Sequence, residues 1–197
     1  VGTLMQAYLE QMATAVRQTD TAALECVAHL LERARLEGRR VYVFGNGASA
    51  ALAGHIAGDL GKGTAPSLGA GAGTHGGQRL KIISLSDTTA WLTALGNDVH
   101  YRDVFLEQLK NHLEPGDLAW GISGSGGSEN VLRALEYARA HGGATVGFTG
   151  MMPSSENMRA LCDVTVQAPS TLIEQIEDLH VMYHHLVARV LFEKARA

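Results

Sequence analysis

The chain has 197 residues, 46% hydrophobic and 18% charged, with Lys+Arg 16 against Asp+Glu 20 and a formal net charge of −4. That length buries roughly two-thirds of the unfolded surface without a metal or disulfide staple, and the lack of a basic excess argues against nucleic acid as the main partner. No run of about 18 apolar residues is present to cross a bilayer, and 23 glycines with only 4 prolines suggest tight backbone turns around ligands more than disorder.

Val1-Gly2-Thr3-Leu4-Met5 has no basic start leading into an apolar core, so no secretory signal is expected. Leu4, Ala7, Tyr8, Met12 and Val16 then form one helical stripe. After Thr19-Asp20-Thr21, a second stripe runs through Leu24, Val27, Leu30, Leu31 and Ala34, so residues 1–37 read as two N-terminal helices. Cys26 and Cys162 lie far apart in apolar contexts, which fits a reduced, cytoplasmic protein.

Short apolar runs at Val41–Phe44, Ile82–Leu85, Leu118–Ile122, Thr145–Phe148 and Val164–Val166 read as buried parallel strands. Helical patterns at about 49–61, 101–111, 128–141 and 171–195 alternate with them. This order predicts an α/β fold with a mainly parallel sheet covered on both faces, in a single domain spanning 1–197. Residues 61–78 hold seven glycines (61, 63, 69, 71, 73, 76 and 77) and are expected to form a mobile loop, either a surface insertion or a flap over a site.

Two turns and one cluster could carry chemistry. Gly45-Asn46-Gly47-Ala48-Ser49-Ala50 follows the first strand and opens a helix, where free N–H groups face any bound anion. It fits the dinucleotide string G-x-G-x-x-A, but no acidic residue lies between Gly61 and Lys81 to hold a ribose. Ser123-Gly124-Ser125-Gly126-Gly127-Ser128 follows the third strand and gathers three hydroxyls at a helix start. That composition suits a phosphate cradle without a lysine; the plainer alternative is a strand-to-helix turn with serine as an N-cap. His55 and Asp59 share a helix face, and Glu174, Glu177, His180, His184 and His185 crowd the last helix. Glu177, His180 and His184 form one stripe, whereas His185 lies about 80° around from Glu177. The two helices could bind a divalent transition metal or supply a general acid/base pair.

Together these segments resemble the SIS (sugar isomerase) domain family, in its phosphoheptose isomerase branch. The likeness extends through Leu92-Thr93-Ala94-Leu95-Gly96-Asn97-Asp98, Pro115-Gly116-Asp117-Leu118, the Ile122–Val131 segment, Gly147-Phe148-Thr149-Gly150 and Ile176-Glu177-Asp178-Leu179-His180. It implies a three-layer α/β/α sandwich with a five-stranded parallel sheet and an N-terminal helical arm. It also implies a homotetramer with sites between subunits. The implied activity converts sedoheptulose 7-phosphate to D-glycero-manno-heptose 7-phosphate for nucleotide-activated heptose synthesis. The family also contains non-catalytic members that bind a sugar phosphate or a protein partner as regulators.

By matching position, the resemblance assigns Asp59 and His185 as catalytic. It assigns Ser123, Ser125 and Ser128 to phosphate, with Asn46, Ser49, Asp87, Asn97 and Glu174 on the substrate. His55, Asp59, Glu177 and His185 occupy the positions that hold zinc in some members. Three departures stand out: Asp59 replaces the usual glutamate, Glu177 the usual glutamine, and Gly124 a threonine in the phosphate loop.

Overall fold

The computed structural model describes residues 2–65 and 78–196. Helices α1 (Gly2–Arg17) and α2 (Thr21–Leu36) precede strand β1 (Arg40–Gly45) and helix α3 (Ala48–Gly63). Next come β2 (Lys81–Ser84), α4 (Thr89–Asp98), a 3-10 turn at Tyr101–Asp103, and α5 (Leu106–His112). The chain ends with β3 (Leu118–Ile122), α6 (Glu129–Ala140), β4 (Ala144–Gly150), α7 (Ser155–Leu161), β5 (Val164–Ala168) and α8 (Ile173–Arg196).

The five strands lie in the order β2-β1-β3-β4-β5, all parallel. Alternation along β1 divides the interior. Val41 and Val43 face α2, α3 and α8, packing with Val27, Leu31, Ile56, Leu60 and Tyr183. Tyr42 and Phe44 face the opposite layer, with Phe105, Leu109, Val131, Leu135 and Met158 from α5, α6 and α7. The result is the expected three-layer α/β/α arrangement, with apolar strands covered on both faces.

All five expected strands are present. Two helices were not anticipated: α4 is short and sets only Leu92 and Leu95, both partly buried, against the core, and α7 is only seven residues long. The pattern at 101–111 is broken into the 3-10 turn and α5, with the Arg102 amide donating to the His100 ring to start the turn. Gly61 and Gly63 are helical instead of opening a loop. A Cβ on Gly63 would stand 2.0 Å from the Phe192 ring, so the missing side chain lets α3 continue beneath α8. The rest of the expected mobile loop, 66–77, lies outside the described residues.

Asp20 caps α2 by accepting from the Ala23 amide, and Leu24, Val27, Leu31 and Ala34 are buried as the second stripe predicts. The first stripe behaves differently. Met12 packs against the core, but Leu4 is 77% exposed and Val16 is also exposed, with Ala15 the buried residue of α1.

Sheet order reverses between β1 and β3, because the chain leaves β1 toward β2 on one side and returns to β3 on the other. Helix α3 leaves β1 on one face and α6 leaves β3 on the opposite face, which opens a crevice at the carboxyl ends of these strands.

Candidate active site

The loops after β1 and β3 flank that crevice. At the end of β1, a Cβ on Gly45 would come within 2.7 Å of both the Ile122 carbonyl and Ser49 Cβ, so only glycine admits β3 and α3 this closely. Ser86 braces the same point, accepting from the Gly45 amide (3.1 Å) and donating to its carbonyl (2.9 Å). Asn46 and the buried Asn130 exchange amide hydrogen bonds of 2.8 and 2.9 Å across the crevice, and the Tyr101 hydroxyl donates to Asn46 Oδ1 at 2.9 Å. Neither Asn130 nor Tyr101 stands out in the sequence. Asn130 follows the serine loop directly, but nothing local marks Tyr101.

In the serine loop the hydroxyls turn inward on one another. Ser123 Oγ lies 2.9 Å from Ser128 Oγ and 3.4 Å from Ser125 Oγ. It accepts from the Gly126 amide, while Ser125 Oγ accepts from the Gly127 amide. Ser128 occupies the N-cap of α6 without a side-chain cap bond, so its hydroxyl is free of the ordinary capping task. Gly126 has φ +69°, and a Cβ there would meet the Ser155 backbone at 2.5 Å. The loop gathers three hydroxyls and a helix start, an arrangement able to surround a phosphate dianion.

A second group lies between α3 and α8. Asp59 Oδ2 is 3.1 Å from His55 Nε2, 3.2 Å from His184 Nε2 and 4.0 Å from His185 Nε2. The His55 ring stands edge-on to His184 and to His185, with centroids 5.0 and 5.2 Å apart. One donor atom from each of the four residues falls within 4.8 Å of all the others. Tetrahedral zinc, with bonds of about 2.0–2.1 Å, holds its ligand atoms about 3.3 Å apart. These donors would have to draw closer to reach that spacing, and three imidazoles with a carboxylate are a donor set that suits the metal.

Burial alone would raise the Asp59 carboxyl, but the His184 hydrogen bond and the fields of His55, His184 and Lys62 outweigh it and hold the carboxyl below its usual range. Burial pushes His184 down to about 4; its bond to Asp59 opposes this, and the neighbouring His185 and His55 reinforce it. At neutral pH the group therefore pairs an ionised carboxylate with an uncharged His184, the protonation state in which these side chains can bind a metal.

The Glu177, His180 and His184 stripe divides among three tasks. His184 joins the group just described. His180, buried against β4, places Nε2 3.2 Å from the Thr149 carbonyl and is pushed down to about 4 by burial, which that bond only partly offsets. Glu177 lines a cavity of about 100 Å³ with Ser49, Leu52, Asp178 and His180, one stage earlier along both helices.

The SIS domain signature matches residues 6–150. The chain belongs to the SIS-domain family. Phosphoheptose isomerase from a Nitratiruptor species is 35% identical over 173 residues, 88% of this chain and 84% of its own. The phosphoheptose isomerase of Aliarcobacter butzleri is 33% identical over 187 residues, 94% and 92% of the two chains. This SIS chain therefore sits in the phosphoheptose isomerase branch. The structure of phosphoheptose isomerase GmhA from Neisseria gonorrhoeae shares its fold, with a TM-score of 0.84 at 24% identity over 96% of this chain and 97% of that one.

Against the positions expected from the family, Asn46, Ser123 and Ser128 share the crevice, Ser125 belongs to the same loop, and Ser49 is tucked behind it on α3. Asp87 is exposed and lies over α3, its carboxylate less than 3 Å from where a Cβ on Gly54 would stand. Asn97 is exposed on α4 and donates to its neighbour Asp98; among the described residues it joins neither group. Glu174 opens α8, where with Glu177 and Asp178 it faces Tyr8 of α1. The Tyr8 hydroxyl donates to Asp178 Oδ2 and is pushed up to about 12, chiefly by that bond. His55, Asp59 and His185 come together as the family pattern implies, but Glu177 is not among the four clustered residues and His184 is. At the third departure, a Cβ on Gly124 would lie 2.5 Å from Ile173 Cδ1, so the usual threonine would require the Ile173 side chain to move.

Proposed function

We propose that this SIS protein is a phosphoheptose isomerase, interconverting sedoheptulose 7-phosphate and D-glycero-manno-heptose 7-phosphate. The observation that carries the reading is the retention of His55, Asp59 and His185 as one cluster in a chain that is related along most of its length to phosphoheptose isomerases. The product of this reaction would feed nucleotide-activated heptose synthesis.

The serine loop binds the phosphate and so fixes the carbon chain, which makes a modest base effective. The ionised Asp59 removes a proton from C1 of the open ketose, and His185 supplies one to the C2 oxygen, giving a 1,2-enediol. Asp59 then returns its proton to C2 while His185 takes one from the C1 hydroxyl, leaving the aldehyde. A divalent ion such as zinc, if held by His55, Asp59 and His185, would stabilise negative charge developing on the oxygens at C1 and C2.

Asp59 lies ten residues beyond Ser49 on α3, about 15 Å along the helix. A seven-carbon phosphate ester anchored in the serine loop would have to span that separation to reach the cluster of its own protomer, which favours a site completed by a second copy. Apolar side chains left bare on α1, notably Leu4, Met5 and Leu9 at 61–77% exposure, support a homotetramer with sites between subunits.

The test is incubation of sedoheptulose 7-phosphate with the metal-stripped and then zinc-supplemented protein in D2O, followed by NMR. Aldose formation with solvent deuterium at C2 is expected. Saturable protection of the protein against melting by the ketose phosphate, without aldose, would overturn the reading in favour of a sugar-phosphate-binding regulator.

A further inference from the structure

We propose that His184, not Glu177, completes the metal-binding group of this chain with His55, Asp59 and His185; the inference rests on that cluster being a metal site. The first argument is one of level. Helices α3 and α8 lie side by side with residue numbers rising together: Ser49 and Leu52 share a cavity with Glu177 and His180, Asp59 meets His184, and Gly63 meets Phe192. From Glu177 to His184 is seven residues, about 10 Å along the axis. A glutamate side chain does not span that distance while remaining in the cavity beside Ser49.

The second argument is the state of His184 itself. Its side chain is wholly buried, and its Nε2 lies against Asp59 Oδ2 while Nδ1 has no hydrogen-bond partner among the described residues. Nε2 is therefore the nitrogen that His184 presents to the cluster and the one a metal would take, with the proton carried on Nδ1. His180, one turn earlier, supplies the contrast, since it is anchored on the Thr149 carbonyl. The one described hydrogen bond of His184 points into the cluster.

Donor chemistry agrees. Three imidazoles and one carboxylate satisfy zinc without a second carboxylate, and Glu177 is left free in the cavity at the N-terminal ends of α3 and α8. On this assignment the two family departures on α3 and α8 have separate meanings: the shorter Asp59 makes room for an added imidazole, and Glu177 no longer serves the metal.

The experiment measures zinc affinity by chelator competition in the wild-type chain, His184→Gln and Glu177→Gln. His184→Gln should weaken binding by more than ~100-fold, beyond the 10–100-fold typical of a supporting partner, and Glu177→Gln should stay within about 3-fold. Because a buried substitution can unfold the chain, the wild type is also loaded with Co(II), and its strongly shifted, solvent-exchangeable imidazole N–H signals are counted by proton NMR. Three signals are expected. Two signals, or a Glu177→Gln loss matching that of His184→Gln, would overturn the assignment. A wild type that binds neither zinc nor Co(II) would also overturn it, while turnover of sedoheptulose 7-phosphate by the same sample would leave the isomerase reading standing.

Discussion

The serine loop and the histidine–aspartate cluster are built in opposite ways. The loop is one uninterrupted stretch, Ser123 to Ser128, whose hydroxyls and amides pair mostly with one another at a strand end. The cluster takes its members from two helices separated by more than 100 residues of chain, and Asp59 Oδ2 is the atom on which they converge. A contiguous loop carries its chemistry in local spacing. A cluster of the second kind depends on how two helices settle against each other, so a change of one turn exchanges one member for another.

The sharpest way to break this contrast is at its convergence point. Asp59→Asn should lower turnover of the heptose phosphate by about 10³-fold, within the range for loss of a general acid–base, with the far-UV circular dichroism unchanged. Turnover within tenfold of wild type would remove Asp59 from proton transfer.

Burial one turn before the cluster on α8 also has a pH signature. His180 titrates near 4 in the fold and near 6.5 when unfolded, so between those values the unfolded chain holds more protons. Stability therefore falls as pH drops from about 6.5 toward 4, by about 3 kcal/mol from this residue. Denaturant midpoints at pH 7.5 and 5.0 should draw closer together in His180→Gln, and an unchanged pH dependence would refute the burial argument.

The loop should respond more mildly and in binding. Ser125→Ala combined with Ser128→Ala should weaken a phosphate ester by at least about 100-fold in calorimetry, since two hydrogen bonds to a charged group contribute about 1.5 kcal/mol or more each while the backbone amides remain. Undiminished affinity would move the phosphate elsewhere. The smallest effect belongs to Tyr101→Phe, which removes the hydroxyl from Asn46 and should raise KM about 3-fold with kcat unchanged. A matching fall in kcat would instead put Tyr101 in contact with the reacting atoms.

The same contrast explains what could be read from the sequence. Val41–Phe44 and Leu118–Ile122 announce themselves because strands buried on both faces must be apolar throughout. The serine loop is legible for its density of hydroxyls, and Ser128 turns out to be spared from capping. Helix α4 is hard to read, because its ten residues place only Leu92 and Leu95 against the core, both of them partly buried, which is too short a stripe to mark a helix. Nor is the continuation of α3 through Gly61 and Gly63, where composition suggests a loop and the Phe192 ring supplies the reason for helix. His184 lies in the stripe that helical spacing picks out, yet spacing alone cannot say that Glu177, on the same stripe, is level with Ser49 instead of Asp59.

The amide pair across the crevice has a consequence for what Asn46 can select. Its carbonyl oxygen already accepts from both Asn130 and Tyr101, filling its two lone pairs, and one of its two N–H groups is taken by Asn130. Among the described hydrogen bonds one N–H is left over. Asn46 is thus polarised into a donor alone: an oxygen that can accept is welcome beside it, and a group that can only donate is turned away before any charge or shape is weighed.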